Sequence, residues 1–159
     1  MKVYLAHSIS TFGEFEDSKR VADEIRALGY KVYAAAENAG INDKSNNPSP
    51  IDIYNEDVYE LISSDICVVN LSGQLQDGTI SEIGFVSGYN EGKGSGKEYI
   101  KIIGYTSNAR LQIPQFHKGI PSASANHLVL GMVEKWGIFV GTETNMLKTL
   151  KNIRDSKIS

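Results

Sequence analysis

The sequence predicts an α/β chain built on a doubly wound parallel sheet of about five strands, with helices on both faces. Short runs rich in β-branched and aromatic residues alternate with stretches whose apolar residues recur at helical period, which is the pattern of a parallel sheet covered by helices. Most connections between these runs are short, as βαβ units require. A length of 159 residues with 41% hydrophobic content fits one domain, residues 1–159, with a core of its own.

"KVYLA" (Lys2 to Ala6) reads as the first strand, and a helix follows from about Glu14 to Leu28, with Val21, Ile25 and Leu28 on one face. Gly29 stops that helix, and "GYKVYAA" is the second strand. The polar loop "ENAGINDKSNNPSP" leads into a helix carrying Ile53, Val58, Leu61 and Ile62, and "DICVVNL" is the third strand. "QLQDGTISEIGFVSG" opens the next helix, and "YIKIIGY" is the fourth strand. "HLVLGMVEKW" is a helix, "GIFV" a short last strand, and "ETNMLKTLKNI" the closing helix. Two connections are less regular. "NEGKGSGKE" (Asn90 to Glu98) reads as an exposed, mobile turn, and its Gly-Lys pattern follows a helix instead of opening one, so it is no phosphate loop. Thr106 to Asn126 is long for a connection, a length typical of lids, binding loops or subunit contacts. In such sheets ligands bind beyond the carboxyl ends of the strands, so "AHSIS", "AAEN" and "NLSGQLQDG" are the segments to search.

Composition narrows the partners. A net charge of −3 leaves no cationic surplus for a nucleic acid. No apolar run approaches the roughly 20 residues that cross a bilayer, and "MKVYLAHS" is too short and polar for a signal peptide; the expected location is cytoplasmic. Cys67, the one cysteine, reads as a buried strand residue. His7, His117 and His127 have no ligand spacing. Neither a metal nor a cofactor is expected.

Glu82 is the residue on which function turns. A carboxylate early in a helix is favoured by the partial positive charge there, so capping is one reading. The other rests on its surroundings: Glu82 follows Asp77-Gly78 and adjoins Ile83, Gly84 and Phe85, a setting that holds a carboxylate rigid and partly desolvated, as a nucleophile needs. Tyr4 is a core residue whose hydroxyl needs a partner when buried. Asp57, in "DIYNEDVYEL", fits either a solvated helix face or a site.

Taken together, several segments resemble the nucleoside 2-deoxyribosyltransferase family and the related deoxynucleoside 5'-monophosphate N-glycosidases. "KVYLAHS" is similar to the family's opening strand, "YNEDVYELISSDICVVNL" to its acidic helix and third strand, "DGTISEIGFVSG" to its glutamate motif, and "ANHLVLGMV" to its later Asn-Leu-Met segment. The implied fold is flavodoxin-like. By the resemblance Glu82 is the nucleophile that forms a covalent deoxyribosyl intermediate, Tyr4 orients it, and Asp57 serves the nucleobase as acid and then base. The family's sugar-binding acid lies six positions before the nucleophile, where this chain has Gln76 with Asp77 beside it; either residue fits the role. Gly78 matches the tight turn, and Asn126 the asparagine that reaches the sugar from a neighbouring subunit, which implies a homo-oligomer. Glu37 and Asn38 match the base-contacting segment, with capping as their alternative. Ser8 and Ser10 resemble the loop that holds a 5'-phosphate, or are turn residues. The implied substrates are 2'-deoxynucleosides and free nucleobases. Transfer between bases is the leading expectation, hydrolysis of a monophosphate the runner-up, and a non-catalytic nucleoside sensor the third.

Overall fold

The computed structural model of the chain describes all residues except 44, 46, 74, 75, 95–97, 113, 114, 118, 119, 123, 124 and 159, and only the backbone of 110, 115–117, 120–122 and 158. Its elements are β1 (Lys2–Ala6), α1 (Phe12–Ala27), β2 (Lys31–Ala34), a 3-10 turn (Ala35–Glu37), α2 (Ala39–Asn42), α3 (Pro50–Ile62), β3 (Ile66–Asn70) and α4 (Asp77–Lys93). They continue as β4 (Lys101–Tyr105), α5 (Ala109–Gln112), β5 (Gln115–His117), β6 (Ile120–Ser122), α6 (His127–Trp136), β7 (Gly137–Phe139) and α7 (Glu143–Ile158).

Five strands form one sheet in the order β2-β1-β3-β4-β7, and every pairing is parallel. This is the doubly wound, flavodoxin-like order, with its switch point between β1 and β3. Alternation along the strands splits the interior in two. Tyr4, Ala6, Cys67, Val69 and Ile102 face Leu61 of α3, Ile83 and Val86 of α4, and Val129 and Val133 of α6. Val3, Leu5, Val68 and Ile103 face Val21 and Ile25 of α1 and Met146 and Leu150 of α7. The interior strand β1 therefore sends Tyr4 toward α4 and its neighbours toward α1.

Local signals set the helix ends. Thr11 and Glu14 form a reciprocal capping box that starts α1 two residues before the expected Glu14. Ser49 and Asp52 form the same box for α3, with Pro50 in its first turn. α4 runs through to Lys93, and this corrects the expected exposed turn at its amino-terminal end: Asn90 is buried, donating from Nδ2 to the Ile100 carbonyl and accepting from the Ile100 amide, both at 2.9 Å. That two-point clasp ties the end of α4 to the start of β4. The rest of the expected turn, residues 95–97, lies outside the described residues. The long connection from Thr106 to Asn126 contains α5 and a second, two-stranded antiparallel sheet in which Phe116 pairs with Pro121. Strands of three residues, one holding a proline, leave no alternating pattern to read. Among the described residues no helix is long and apolar enough to cross a membrane.

β7 approaches β4 closely at one point: a Cβ on Gly137 would lie 1.6 Å from the Ile102 carbonyl oxygen. Backbone cannot yield as a side-chain tip does. Gly137→Ala is therefore expected to lower stability by at least the ~1–3 kcal/mol typical of overpacking, read as a lower urea midpoint; an unchanged midpoint would contradict the β4–β7 contact.

Candidate active site

The carboxyl ends of β1 and β3 carry the loops that frame a cleft of about 350 Å³, lined by His7, Ser8, Ile9 and Ser10 after β1, by Gln76 to Thr79 and Glu82 of α4, and by Asp57 and Ile53 of α3, with Ala35, Ile41 and Asn42 beside them. A second lobe of about 240 Å³ shares Asp57, Gly78 and Glu82 but is walled by Tyr54, Val58, Leu61, Ser81 and Phe85. The two carboxyl groups thus sit where the more polar lobe meets the more apolar one. A larger hollow, about 600 Å³, opens at the amino ends of the strands beside Met1, Asp65 and Lys101, the end of the sheet opposite to where this fold class binds ligands.

Glu82 reaches the cleft from the second turn of α4, whose register is set by Ile83 and Val86 packing on the sheet. The Tyr4 hydroxyl donates to Glu82 Oε1 at 2.6 Å. Tyr4 is wholly buried, so this carboxylate is its hydrogen-bond outlet. Burial raises the Glu82 pKa most; the Tyr4 bond opposes that and the Asp57 charge adds to it, leaving the group pushed up from 4.5 to about 8. Asp57 is also raised, first by burial and then by Glu56 and Glu60, against the lowering effect of the Tyr33 and Tyr4 hydroxyls. Two carboxyl groups of different pKa, coupled through one phenol, can hold a single proton between them at neutral pH.

Tyr33 was not among the residues the sequence brought forward. It stands on β2 directly beside Tyr4, with ring centroids 5.2 Å apart, and its hydroxyl donates to Asp57 Oδ1 at 3.1 Å. The signal was present as a repeat: Lys2-Val3-Tyr4 and Lys31-Val32-Tyr33 are the same tripeptide, and the sheet pairs them residue for residue. His7 also went unassigned. Asn70 Oδ1 accepts from the Ser72 amide, so its Nδ2 faces His7 Nε2 at 2.7 Å while His7 Nδ1 lies 2.6 Å from the Ser8 carbonyl. His7 Nε2 also lies 3.1 Å from Asp17 Oδ2, and together these contacts clamp the loop after β1.

The structure brings Ser8, Ser10, Asp57, Gln76, Asp77, Gly78 and Glu82 to one cleft. Gln76 is the N-cap residue of α4 and accepts from the Ser10 hydroxyl at 3.1 Å; Asp77 and Gly78 open the helix with their side-chain positions exposed. The Ser8 hydroxyl is buried without a hydrogen bond of ordinary geometry, though near enough to Glu14 to help lower that carboxyl group. Glu37 is held elsewhere: its carboxylate pairs with the Arg26 guanidinium, one contact at 2.8 Å. Asn38 caps α2 and donates to Tyr33 and to Glu56, which joins it to the site through Tyr33. Asn126 caps α6 and is exposed, outside the cleft lining. Among the described residues no group of three or more His, Cys, Asp or Glu is arranged to hold a metal ion.

No family model matches the chain, and no curated protein matches it in sequence. Solved structures do resemble it. A conserved protein of Enterococcus faecalis V583 is 23% identical, with 96% of this chain and 98% of that chain covered at a TM-score of 0.76. The CMP N-glycosidase BcmB of Clostridium botulinum is 16% identical, with 96% and 99% covered at a TM-score of 0.59. At these identities the likeness is one of fold, and it extends over nearly the whole of each chain.

The raised Glu82 pKa has a stability consequence. Between the unfolded value near 4.5 and the folded value of about 8, the folded chain keeps a proton that the unfolded chain releases, so stability falls as pH rises through that window, by at most ~1.4 kcal/mol per pH unit. Glu82→Gln removes the titration. Urea unfolding should show the variant gaining on the wild type from pH 5 to pH 8 and exceeding it by a few kcal/mol at the upper end; parallel curves would show that Glu82 is not desolvated.

Proposed function

We propose that the chain is a nucleoside deoxyribosyltransferase: it breaks the N-glycosidic bond of a 2'-deoxynucleoside and passes the sugar to a second nucleobase through a covalent intermediate on Glu82. The observation that carries this reading is the pair of carboxyl groups at the junction of the two lobes, with the buried Tyr4 hydroxyl on Glu82. The resemblance of "DGTISEIGFVSG" to the family's glutamate motif and the fold shared with a CMP N-glycosidase support it.

In the first half-reaction a Glu82 carboxylate oxygen attacks the anomeric carbon as its bond to the base nitrogen breaks. The electron pair leaves with the base, and Asp57 supplies the proton that the departing nitrogen needs. In the second, the incoming base attacks the same carbon, its N–H proton goes to Asp57, and the bond to Glu82 breaks. Two inversions give net retention. Tyr4 holds one carboxylate oxygen and leaves the other for attack. Gln76 and Asp77, at the start of α4, would hold the sugar hydroxyls. Asn126 lies outside the cleft lining of its own chain, and in this reading it completes the cleft of a neighbouring copy in a homo-oligomer.

A second reading, hydrolysis of a deoxynucleoside 5'-monophosphate, draws on the Ser8 and Ser10 hydroxyls in the cleft and on the activity named for the Clostridium protein. Incubation with deoxyinosine, with and without adenine, separates the two. Transfer predicts hypoxanthine release that depends on adenine and yields deoxyadenosine; release from deoxyinosine monophosphate at full rate without adenine would make the protein a hydrolase.

At neutral pH the pair holds one proton, resting on Glu82; the reactive form is the one in which that proton has passed to Asp57 and left Glu82 ionised. With both groups protonated there is no nucleophile, and with both ionised there is no acid, so kcat/KM should follow a bell in pH. Its alkaline limb should fall near the Glu82 value of about 8. Asp57→Asn should lower exchange by ~10²–10⁴-fold, with the smallest loss for donors whose base leaves without protonation; equal losses for all donors would remove Asp57 from the acid role.

A further inference from the structure

We propose that Tyr33 is the positioning residue for the acid–base carboxyl of Asp57, the counterpart of Tyr4 for Glu82, and that Asn38 sets the direction of its hydroxyl. The inference rests on the transfer reading above, because it assigns Tyr33 a part in that chemistry.

Three observations combine. First, the parallel register sets Tyr4 and Tyr33 side by side on β1 and β2, with rings 5.2 Å apart and tilted by 32°, so two phenols leave the sheet on the α3/α4 side together. The Tyr4 hydroxyl donates to Glu82 at 2.6 Å, with a weaker influence on Asp57, and the Tyr33 hydroxyl donates to Asp57 at 3.1 Å. Second, the Tyr33 hydroxyl is not free to turn. Asn38 Nδ2 donates to it at 3.1 Å, which occupies an acceptor site on the oxygen and directs the hydroxyl proton to Asp57. Third, Asn38 is itself locked. Its Oδ1 accepts from the Ile41 amide as the cap of α2, and its second Nδ2 proton goes to Glu56 at 2.7 Å. The chain α2 cap, Asn38, Tyr33, Asp57 therefore has one polarity throughout.

The consequence is chemical as well as geometric. A donor on an ionised carboxylate stabilises the ionised form, and the Tyr33 bond is the first influence that opposes the burial of Asp57. Asp57 has to give a proton and then recover one, so its affinity must lie between extremes. Burial, Glu56 and Glu60 raise its proton affinity; the Tyr33 hydroxyl offsets that and holds Oδ1 of Asp57, a lining residue of the cleft, in place.

The test uses Tyr33→Phe, which keeps the ring contact with Tyr4 and deletes the donor, with Tyr59→Phe, an exposed tyrosine on α3, as the control. The Asp57 carboxyl is titrated by ¹³C NMR, and kcat/KM for base exchange is followed against pH. Tyr33→Phe should move the Asp57 midpoint upward and carry the corresponding limb of the pH profile with it, with a roughly tenfold loss of exchange, a fraction of the general acid–base term. The limb belonging to Glu82 and the circular dichroism spectrum should stay in place, and Tyr59→Phe should behave as wild type. An unmoved Asp57 midpoint in folded Tyr33→Phe would overturn the proposal, whatever the rate. If instead the midpoint moves but the wild type exchanges no base with any deoxynucleoside, the transfer reading fails and the catalytic role of Tyr33 falls with it, while the electrostatic link between Tyr33 and Asp57 stands as measured. A rate loss in Tyr33→Phe with both limbs unmoved would assign Tyr33 a packing role only.

Discussion

The site depends on one hydrogen bond, from the Tyr4 hydroxyl to Glu82. A phenol at the centre of a parallel sheet has lost all contact with water and needs an acceptor. A carboxylate in the second turn of α4 has lost much of its own hydration and needs a donor. Each solves the other's problem, and the solution constrains everything around it. Tyr4 must sit on an interior strand with its side chain toward α4; β1 between β2 and β3 supplies that. α4 must begin just beyond the carboxyl end of β3, so that its second turn lies over the sheet. Ile83 and Val86 in the sheet-facing stripe hold that register, and the Asn90 clasp on Ile100 fixes the far end of the same helix.

A pair of tyrosines serving a pair of carboxyl groups gives the cleft its electrostatic character. No lysine, arginine or protonated histidine neutralises Glu82 or Asp57 among the described contacts. The phenols stabilise negative charge without supplying a full positive one, so both carboxyl groups stay above their ordinary values. A cationic partner would have lowered them, as Arg20 does for Asp17. The Arg26 side chain is committed to Glu37 and to Asp23.

Much of the sheet was legible because each strand is a compact apolar run and each long helix carries an apolar stripe. Glu82 was legible as a carboxylate out of place beside Ile83 and Phe85. Short elements were not: α2, α5 and the β5–β6 pair span three or four residues each, too few for any period to show. Asn90 looked like part of a glycine turn because its role depends on a backbone segment ten residues away. Tyr33 escaped notice because its meaning lies in strand pairing. The repeated Lys-Val-Tyr tripeptide marks it only once β1 and β2 are known to lie in parallel register. Glu37 and Asn38 adjoin in sequence but face different partners, Arg26 and Tyr33, a divergence set by the turn between β2 and α2.

The central claim is that the Glu82 oxygen bonds to the sugar. Incubation with a slow 2'-fluoro-2'-deoxynucleoside, followed by mass spectrometry of the intact chain and its peptides, tests it most directly. The account predicts one fluorodeoxyribosyl adduct per chain, on Glu82, discharged when a free nucleobase is added. An adduct on another residue, or base exchange that persists in Glu82→Gln, would contradict it.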